Sequence, residues 1–385
     1  MTTLGIFTTS RAEFGQLSNL IEAIQIEPSM SYLLFAGGSH HLCGNGASFA
    51  EITKMGYSPI VFDFFLNTDS EKSLTQSLGI EMFQLSELFS HSDLDFVVVL
   101  GDRIEILPII QAAIIFRTPI IHLHGGEVTE GALDEQVRHM ITKSAHLHFC
   151  ASEEYRQNII NMGEETWRVH NVGALGIDTI VKQSKLAKHK LFNIYNMDPA
   201  LPTVLATYHP VTLEVEISTE DQILYLFQAL RGLNIQILFT APNVDPDNSV
   251  LFDVIKHESE TNQKCFFTES MGIVNYQSML QYVDFVIGNS SSGILEAPYF
   301  KIPTVNIGDR QKGRIRHASV IDVDYSVDSI RQGIQRALDP TFRESLSTME
   351  YKFGDGHATE RIVKVLNEVE INQNLLRKKL EFPNA

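Results

Sequence analysis

Cysteine is scarce in this chain, and Cys43, Cys150 and Cys265 are the only three in 385 residues. Their odd number and wide spacing exclude a disulfide framework and give no CxxC pair for zinc, which suits a reducing compartment. Positive charge is also in deficit. The formal net charge is −17, and a field of that sign repels polyanions, so no nucleic-acid partner is expected. Long apolar runs are missing too. Phe96–Leu100 and Ile104–Ile115 are interrupted by Asp102 and Arg103, and neither reaches the roughly 20 residues that a membrane-spanning helix needs. The first ten residues hold no basic segment ahead of an apolar core, so no secretory leader is read there. The expectation is a cytoplasmic protein with no membrane partner. No GxGxxG follows the first apolar run and no Lys-Ser/Thr closes a phosphate loop, so nicotinamide chemistry and ATP hydrolysis lose their usual signatures.

What the chain does have is the make-up of a folded enzyme. Its hydrophobic content is 44% and its charged content 20%, and its length exceeds what one ordinary core organises, so two domains are expected. Short apolar runs at Leu4–Thr8, Tyr32–Phe35, Ile60–Phe62, Phe96–Leu100, Pro119–Leu123 and His146–Cys150 alternate with helical stretches such as Glu13–Ile26 and Ser70–Phe89. The pattern restarts at Thr203–Thr207, Ile235–Phe239, Cys265–Thr268, Asp284–Ile287 and Thr304–Ile307. Apolar strands separated by helices predict parallel sheets covered on both faces. The fold class is therefore α/β, with two Rossmann-like, doubly wound domains, 1–178 and 179–385, expected to face each other across a cleft. The final helical segment, about Thr359 to Leu380, either continues the second domain or returns to the first.

In open α/β sheets ligands bind beyond the carboxyl ends of the strands. The residues there are polar or glycine-rich: Ser10 to Glu13, Gly37 to His41, Gly101 to Arg103, His122 to Glu127, His209 and Pro210, Gly288 to Gly293, and Gly308 to Arg310. Gly288-Asn-Ser-Ser-Ser-Gly293 precedes a helix start, where N–H groups and the hydroxyls of Ser290, Ser291 and Ser292 suit a phosphate; a serine-rich helix cap is the plain alternative. Arg310, Lys312, Arg314 and Arg316 form a basic cluster in an acidic chain, which points to a diphosphate, with a solvated charge run as the alternative. Asp102 follows an apolar strand and suits acid–base work, unless it caps a helix beginning at Ile104.

The densest segment runs from His122 to His139. His122 and His124 alternate at a strand end and are expected to point the same way. Gly125 and Gly126 permit a ligand to approach the backbone. Asp134 and Arg138 share a helix face, as do Glu135 and His139. A metal reading of HxH plus acids is open, but there is no HExxH and no cysteine ligand, so no metal is expected.

These motifs, taken in order, resemble the hydrolysing UDP-N-acetylglucosamine 2-epimerases of sialic-acid and related nonulosonate biosynthesis. The resemblance rests on Thr9-Ser-Arg-Ala-Glu-Phe14, Gly101-Asp-Arg103, His122-Leu-His-Gly-Gly-Glu127, Asp134 with Arg138-His139 and Ile141-Thr-Lys143, His209-Pro-Val-Thr212, Gly288-Asn-Ser-Ser-Ser-Gly293 and Asn306-Ile-Gly-Asp-Arg-Gln311. It implies a GT-B-like fold, a UDP-sugar substrate, no cofactor, and a homodimer or homotetramer. It also implies Asp102 and Asp134 as acid–base groups and Arg11 and His209 facing the pyrophosphate. Ser291 and Ser292 would form the phosphate turn, with Glu296 on the ribose; on the motifs alone, Ser290 and Gly293 join that turn, with Arg310 and Arg314 beside it. One departure stands out. Family members often carry a catalytic glutamate where this chain has His124, so either Glu127 or His124 takes that role.

The chemistry so implied runs through elimination. Loss of UDP from C1 makes the C2 proton removable and gives a 2-acetamidoglucal; water then adds at C1 and a proton returns to the other face of C2. UDP-N-acetylglucosamine is the leading substrate and UDP-2,4-diacetamido-2,4,6-trideoxyglucose the alternative, with Phe64–Ser73 and His40–Asn45 as candidate determinants. A GT-B glycosyltransferase and a non-catalytic UDP-sugar sensor are the rival readings.

Overall fold

The computed structural model describes residues 1–41, 46–64, 70–130, 133–209, 217–241 and 248–382. They divide into two compact units. One holds the chain up to Glu127, the part from Leu133 to Lys182, and the part from Phe353 onward; the other holds Val128 to Glu130 and Gln183–Lys352.

The first unit is built on β1 (Thr2–Thr8), β2 (Met30–Ala36), β3 (Ile60–Val61), β4 (Phe96–Leu100), β5 (Ile120–Leu123), β6 (Leu147–Cys150) and β7 (Val169–Asn171). They pair in the order β3-β2-β1-β4-β5-β6-β7, all parallel. The apolar run of β4 shows why the strands read as continuous. Phe96, Val98 and Leu100 enter one core, while Val97 and Val99 enter the core on the opposite face. A strand buried on both sides has no polar face to alternate with. The order reverses between β1 and β4, which makes their carboxyl ends the switch point where a ligand crevice opens.

The second unit repeats the plan with β8 (Thr203–Thr207), β9 (Gln236–Thr240), β10 (Cys265–Thr268), β11 (Phe285–Gly288), β12 (Thr304–Ile307) and β13 (Val320–Val323). Its order is β10-β9-β8-β11-β12-β13, again parallel, with the switch point between β8 and β11. Two doubly wound parallel sheets are thus present. The strands that the sequence pattern left unread, β7 and β13, each lie at one edge of their sheet. Val-His-Asn and Val-Ile-Asp-Val are short and only partly buried, so they lack the long apolar signature of central strands.

The final helical segment is not one helix. It breaks between Ala358–Glu368 and Gln373–Leu376, where the Asn372 side chain accepts hydrogen bonds from the Asn374 and Leu375 N–H groups and starts a new turn. Ala358, Ile362, Leu366 and Leu375 complete the first unit's core. Asp178 fixes the return, its carboxylate accepting the N–H groups of Ala358 at 2.9 Å and Thr359 at 2.7 Å. No helix of the described residues is long and apolar enough to cross a membrane.

Candidate active site

At the first switch point, Asp102 follows β4. It does not cap the next helix, which begins at Ile106 with Glu105 in the cap position. Instead its carboxylate accepts from Nη2 of Arg138. Arg138 is fully buried and is charged, so its placement demands partners. Its Nη1 donates to Glu135 Oε2 at 2.6 Å and to the Glu127 carbonyl at 2.9 Å. One guanidinium therefore ties Asp102 to the backbone of Glu127. Arg138 stands in the Leu133–Ser144 helix, whose first turn carries the exposed Asp134; the charge of Asp134 reaches Arg103. The Glu135–His139 pair expected from helical spacing is present at 3.2 Å.

His122 and His124 do not point the same way, contrary to the alternation read from the sequence. β5 ends at Leu123, and His124 takes a left-handed φ of 63°, which breaks the period of two. His122 is buried and lies with Nε2 2.8 Å from the Gly101 carbonyl and Nδ1 3.2 Å from Thr142 Oγ1. Burial holds it neutral, pushing its pKa down to about 3 against the opposing bond to Gly101. His124 turns elsewhere, with Nδ1 2.9 Å from Glu127 Oε1 and Nε2 3.2 Å from the Leu175 amide nitrogen.

Gly125 and Gly126 serve this turn rather than an approaching ligand. A Cβ on Gly125 would lie 2.8 Å from His122 Nδ1, and one on Gly126, at φ 78°, would lie 2.3 Å from the Tyr155 carbonyl oxygen. The protein itself occupies the space.

Ser10 and Glu13 form a capping box at the start of the Arg11–Ile26 helix. Glu13 accepts the Thr9 N–H at 2.7 Å and the Ser10 N–H at 3.2 Å. Its pKa rises to about 7 through burial, which outweighs the lowering by Arg103. Arg11 lies 3.0 Å from Glu51 at the surface. Arg103 bonds Glu105 at 2.6 Å. Glu81 is fully buried, with no hydrogen-bond partner for either carboxylate oxygen among the described residues, and burial, reinforced by Glu105 and Glu13, pushes it up to about 10. Glu81 escaped the sequence reading, because an isolated glutamate in a helical stretch looks like a solvated one.

The second switch point is organised by Asn289, directly after β11. Its Oδ1 accepts the His209 N–H at 2.7 Å and its Nδ2 donates to the His209 carbonyl at 2.8 Å. The Asn289 carbonyl in turn accepts from Arg310 at 3.2 Å and Gln311 at 2.9 Å. The ends of β8, β11 and β12 are thereby joined, bringing His209, the serines and Arg310 to one edge. His209 is buried, and burial with the nearby Arg310 pulls its pKa down to about 3. The helical turn after the serines is only Ser292–Leu295; Ser291 caps it without a side-chain bond. Ser292 bonds both the Tyr276 hydroxyl and Ser290, so part of the serine run supports itself. Gly293 packs on Thr304, where a Cβ would come within 2.7 Å of Cγ2. Glu296 accepts from Gln277 at 3.3 Å, and burial raises it to about 7.

The basic loop is divided in its commitments. Arg316 pairs with Asp322 at 3.0 Å. Arg314 reaches Thr129 Oγ1 at 3.5 Å, and the Glu130 N–H donates to the Lys312 carbonyl at 3.3 Å. Several candidate positions lie outside the described residues: 42–45 and 65–69 of the two stretches held to choose the sugar, and 210–212 after His209. Among the described residues no group of three or more histidines, cysteines and carboxylates could hold a metal ion.

The family model described as UDP-N-acetylglucosamine 2-epimerase matches residues 22–367. A Campylobacter jejuni protein named GDP/UDP-N,N'-diacetylbacillosamine 2-epimerase (hydrolyzing) is 34% identical, covering 88% of each chain. A Legionella pneumophila UDP-N,N'-diacetylbacillosamine 2-epimerase (hydrolyzing) is 33% identical over 96% of this chain and 97% of its own. Among solved structures, the Neisseria meningitidis UDP-GlcNAc 2-epimerase bound to UDP-GlcNAc superposes with a TM-score of 0.80 at 16% identity, covering 96% of this chain and all of that one. That likeness establishes the GT-B-like fold, and the extent of the family match carries the rest: the chain belongs to the UDP-N-acetylglucosamine 2-epimerase family.

Proposed function

We propose that this enzyme hydrolyses a UDP-linked 2-acetamido sugar with inversion at C2. The observation that carries the reading is the Arg138 clamp, which holds the Asp102 carboxylate and the Glu127 backbone on one buried guanidinium. Proton removal and return at one carbon need carboxylates held in place.

In this reading one carboxylate of the set Asp102, Asp134 and Glu127 takes the C2 proton as the C1–O bond to UDP breaks. UDP departs with the bonding electrons, leaving a 2-acetamidoglucal. Water then gives its hydroxyl to C1 while a proton is delivered to the opposite face of C2. The balance is UDP-sugar plus water to UDP plus the free 2-epimer, with no electron gained or lost. His209, Arg310, Arg314 and the Ser290–Gly293 turn hold the diphosphate, where cations and N–H donors stabilise the leaving charge. Glu296 grips the ribose hydroxyls.

Two substrates are supported by separate observations. The family description supports UDP-N-acetylglucosamine, while the names of the Campylobacter and Legionella relatives support the 2,4-diacetamido-2,4,6-trideoxy sugar. Incubating both with the enzyme in D2O and EDTA tests the class and the choice together. UDP release with deuterium at C2 of a free 2-epimer is the expected result. UDP release that requires an added acceptor would establish a glycosyltransferase instead, and binding without turnover of either sugar would establish a sensor.

A further inference from the structure

We infer that His124 is a positioning residue, locked in its Nδ1–H tautomer to aim the Glu127 carboxylate, and not itself a proton carrier. The inference rests on the epimerase reading and assigns the position at which this chain departs from family members that carry a glutamate.

The tautomer follows from the partner on the far side of the ring. The Leu175 amide can only donate, and it points at Nε2 from 3.2 Å. Nε2 must therefore present its lone pair, and the ring proton of the neutral imidazole sits on Nδ1. Nδ1 lies 2.9 Å from Glu127 Oε1, so the N–H donates to the carboxylate. A second ring proton, on Nε2, would face the Leu175 N–H head on. Both nitrogens are thus spent, one on the carboxylate and one on the backbone. Leu175 opens the Leu175–Lys182 helix, whose first N–H groups have no partner within the helix. The imidazole supplies one. It bridges a fixed helix end to an acid side chain.

The surrounding turn leaves His124 no other place. The His124 N–H donates to the Phe149 carbonyl at 2.9 Å, and the Gly126 carbonyl accepts from Asn158 at 2.9 Å. The left-handed φ of 63° at a non-glycine residue costs energy, which such bonds offset. With Arg138 on the main-chain carbonyl of Glu127 and His124 on its carboxylate, the residue is held at both ends. A glutamate at position 124 would instead set two carboxylates against each other across the same turn.

The two roles separate by substitution and a double-mutant cycle. Asparagine places an N–H close to where the Nδ1–H of histidine stands. In the full-length enzyme, H124A is expected to lower kcat roughly ten- to a hundredfold while UDP affinity is unchanged, as for loss of a hydrogen bond to a charged group. H124N should recover most of that loss. H124A/E127Q should match E127Q alone to within about twofold, because both changes act through one carboxylate. Equal loss in H124N and H124A, with losses that multiply in the double variant, would overturn the inference and make His124 an independent proton carrier. Failure of the parent reading looks different: the unmodified enzyme would bind UDP but turn over neither UDP-sugar.

Discussion

The two switch points are made from different materials. At the first, side chains of opposite charge hold one another: Asp102 and Glu135 on Arg138, Glu105 on Arg103. At the second, the fixed points are backbone groups, with Asn289 gripping both polar atoms of the His209 main chain and its own carbonyl receiving Arg310 and Gln311. Ion pairs between side chains fix where a carboxylate points, which proton transfer at one carbon demands. Backbone anchoring fixes the path of a loop and spreads a binding surface over several modest contacts. On the proposed reading, the first arrangement concentrates function in a few atoms and the second distributes it.

That contrast predicts effects of different size. Asp102→Asn should cut turnover of the preferred UDP-sugar by roughly a hundred- to ten-thousandfold, the usual span for an acid–base group, while UDP affinity measured by calorimetry stays within a few-fold. Arg310→Ala should do the reverse, weakening UDP by roughly tenfold or more with a smaller effect on kcat. If the aspartate change weakened UDP as much as the arginine change, the division of labour between the switch points would be gone.

A smaller effect sharpens the second switch point. Glu296 has its pKa raised by burial to about 7, and a carboxylate accepts ribose hydroxyls better than a carboxylic acid does. UDP affinity should therefore rise by a few-fold as pH is raised through about 7, beyond whatever the nucleotide's own phosphate contributes. Glu296→Gln should remove that increment. The same pH dependence in both proteins would detach Glu296 from the nucleotide.

The smallest effect lies in the core of the first unit. Glu164 and Glu81 are both buried there, yet Glu164 is surrounded by His148, Lys143 and Lys378 and is held down to about 2 against the cost of burial. Glu81 has no such company among the described residues and is raised from 4.5 to about 10. A group that holds its proton more tightly when folded contributes stability that is full below its unfolded pKa and fades as pH rises through the folded one. Thermal stability should thus decline as pH rises from 4.5 toward about 10. Glu81→Leu should flatten that decline and raise Tm at neutral pH by roughly a few degrees. A Tm profile unchanged by Glu81→Leu would mean that Glu81 is solvated or paired in solution.

Much of the molecule was legible before any coordinates. The central strands announced themselves, because a strand covered on both faces must be apolar throughout, as Phe96–Leu100 is. The strand-end rule then named Asp102, His124, Glu127, His209 and the serine run as candidates. Less visible were β7 and β13, whose edge positions relax the demand for apolar residues, and the break near Asn372, where charge and leucine continue in a helical rhythm past the real end.

Sequence alone therefore determined the repeated α/β plan and which polar residues stand at strand ends, since periodicity and burial are local properties of the chain. Tertiary structure decided what those residues touch. Arg138 reads from spacing as one member of a helix pair, yet it reaches Asp102, 36 positions away. His124 reads as the twin of His122, yet a single left-handed residue turns it toward Glu127 and Leu175. Spacing fixes direction only while the backbone keeps its period. Beyond Leu123 the period ends, and the partners of a side chain are set by elements that only the folded chain brings near.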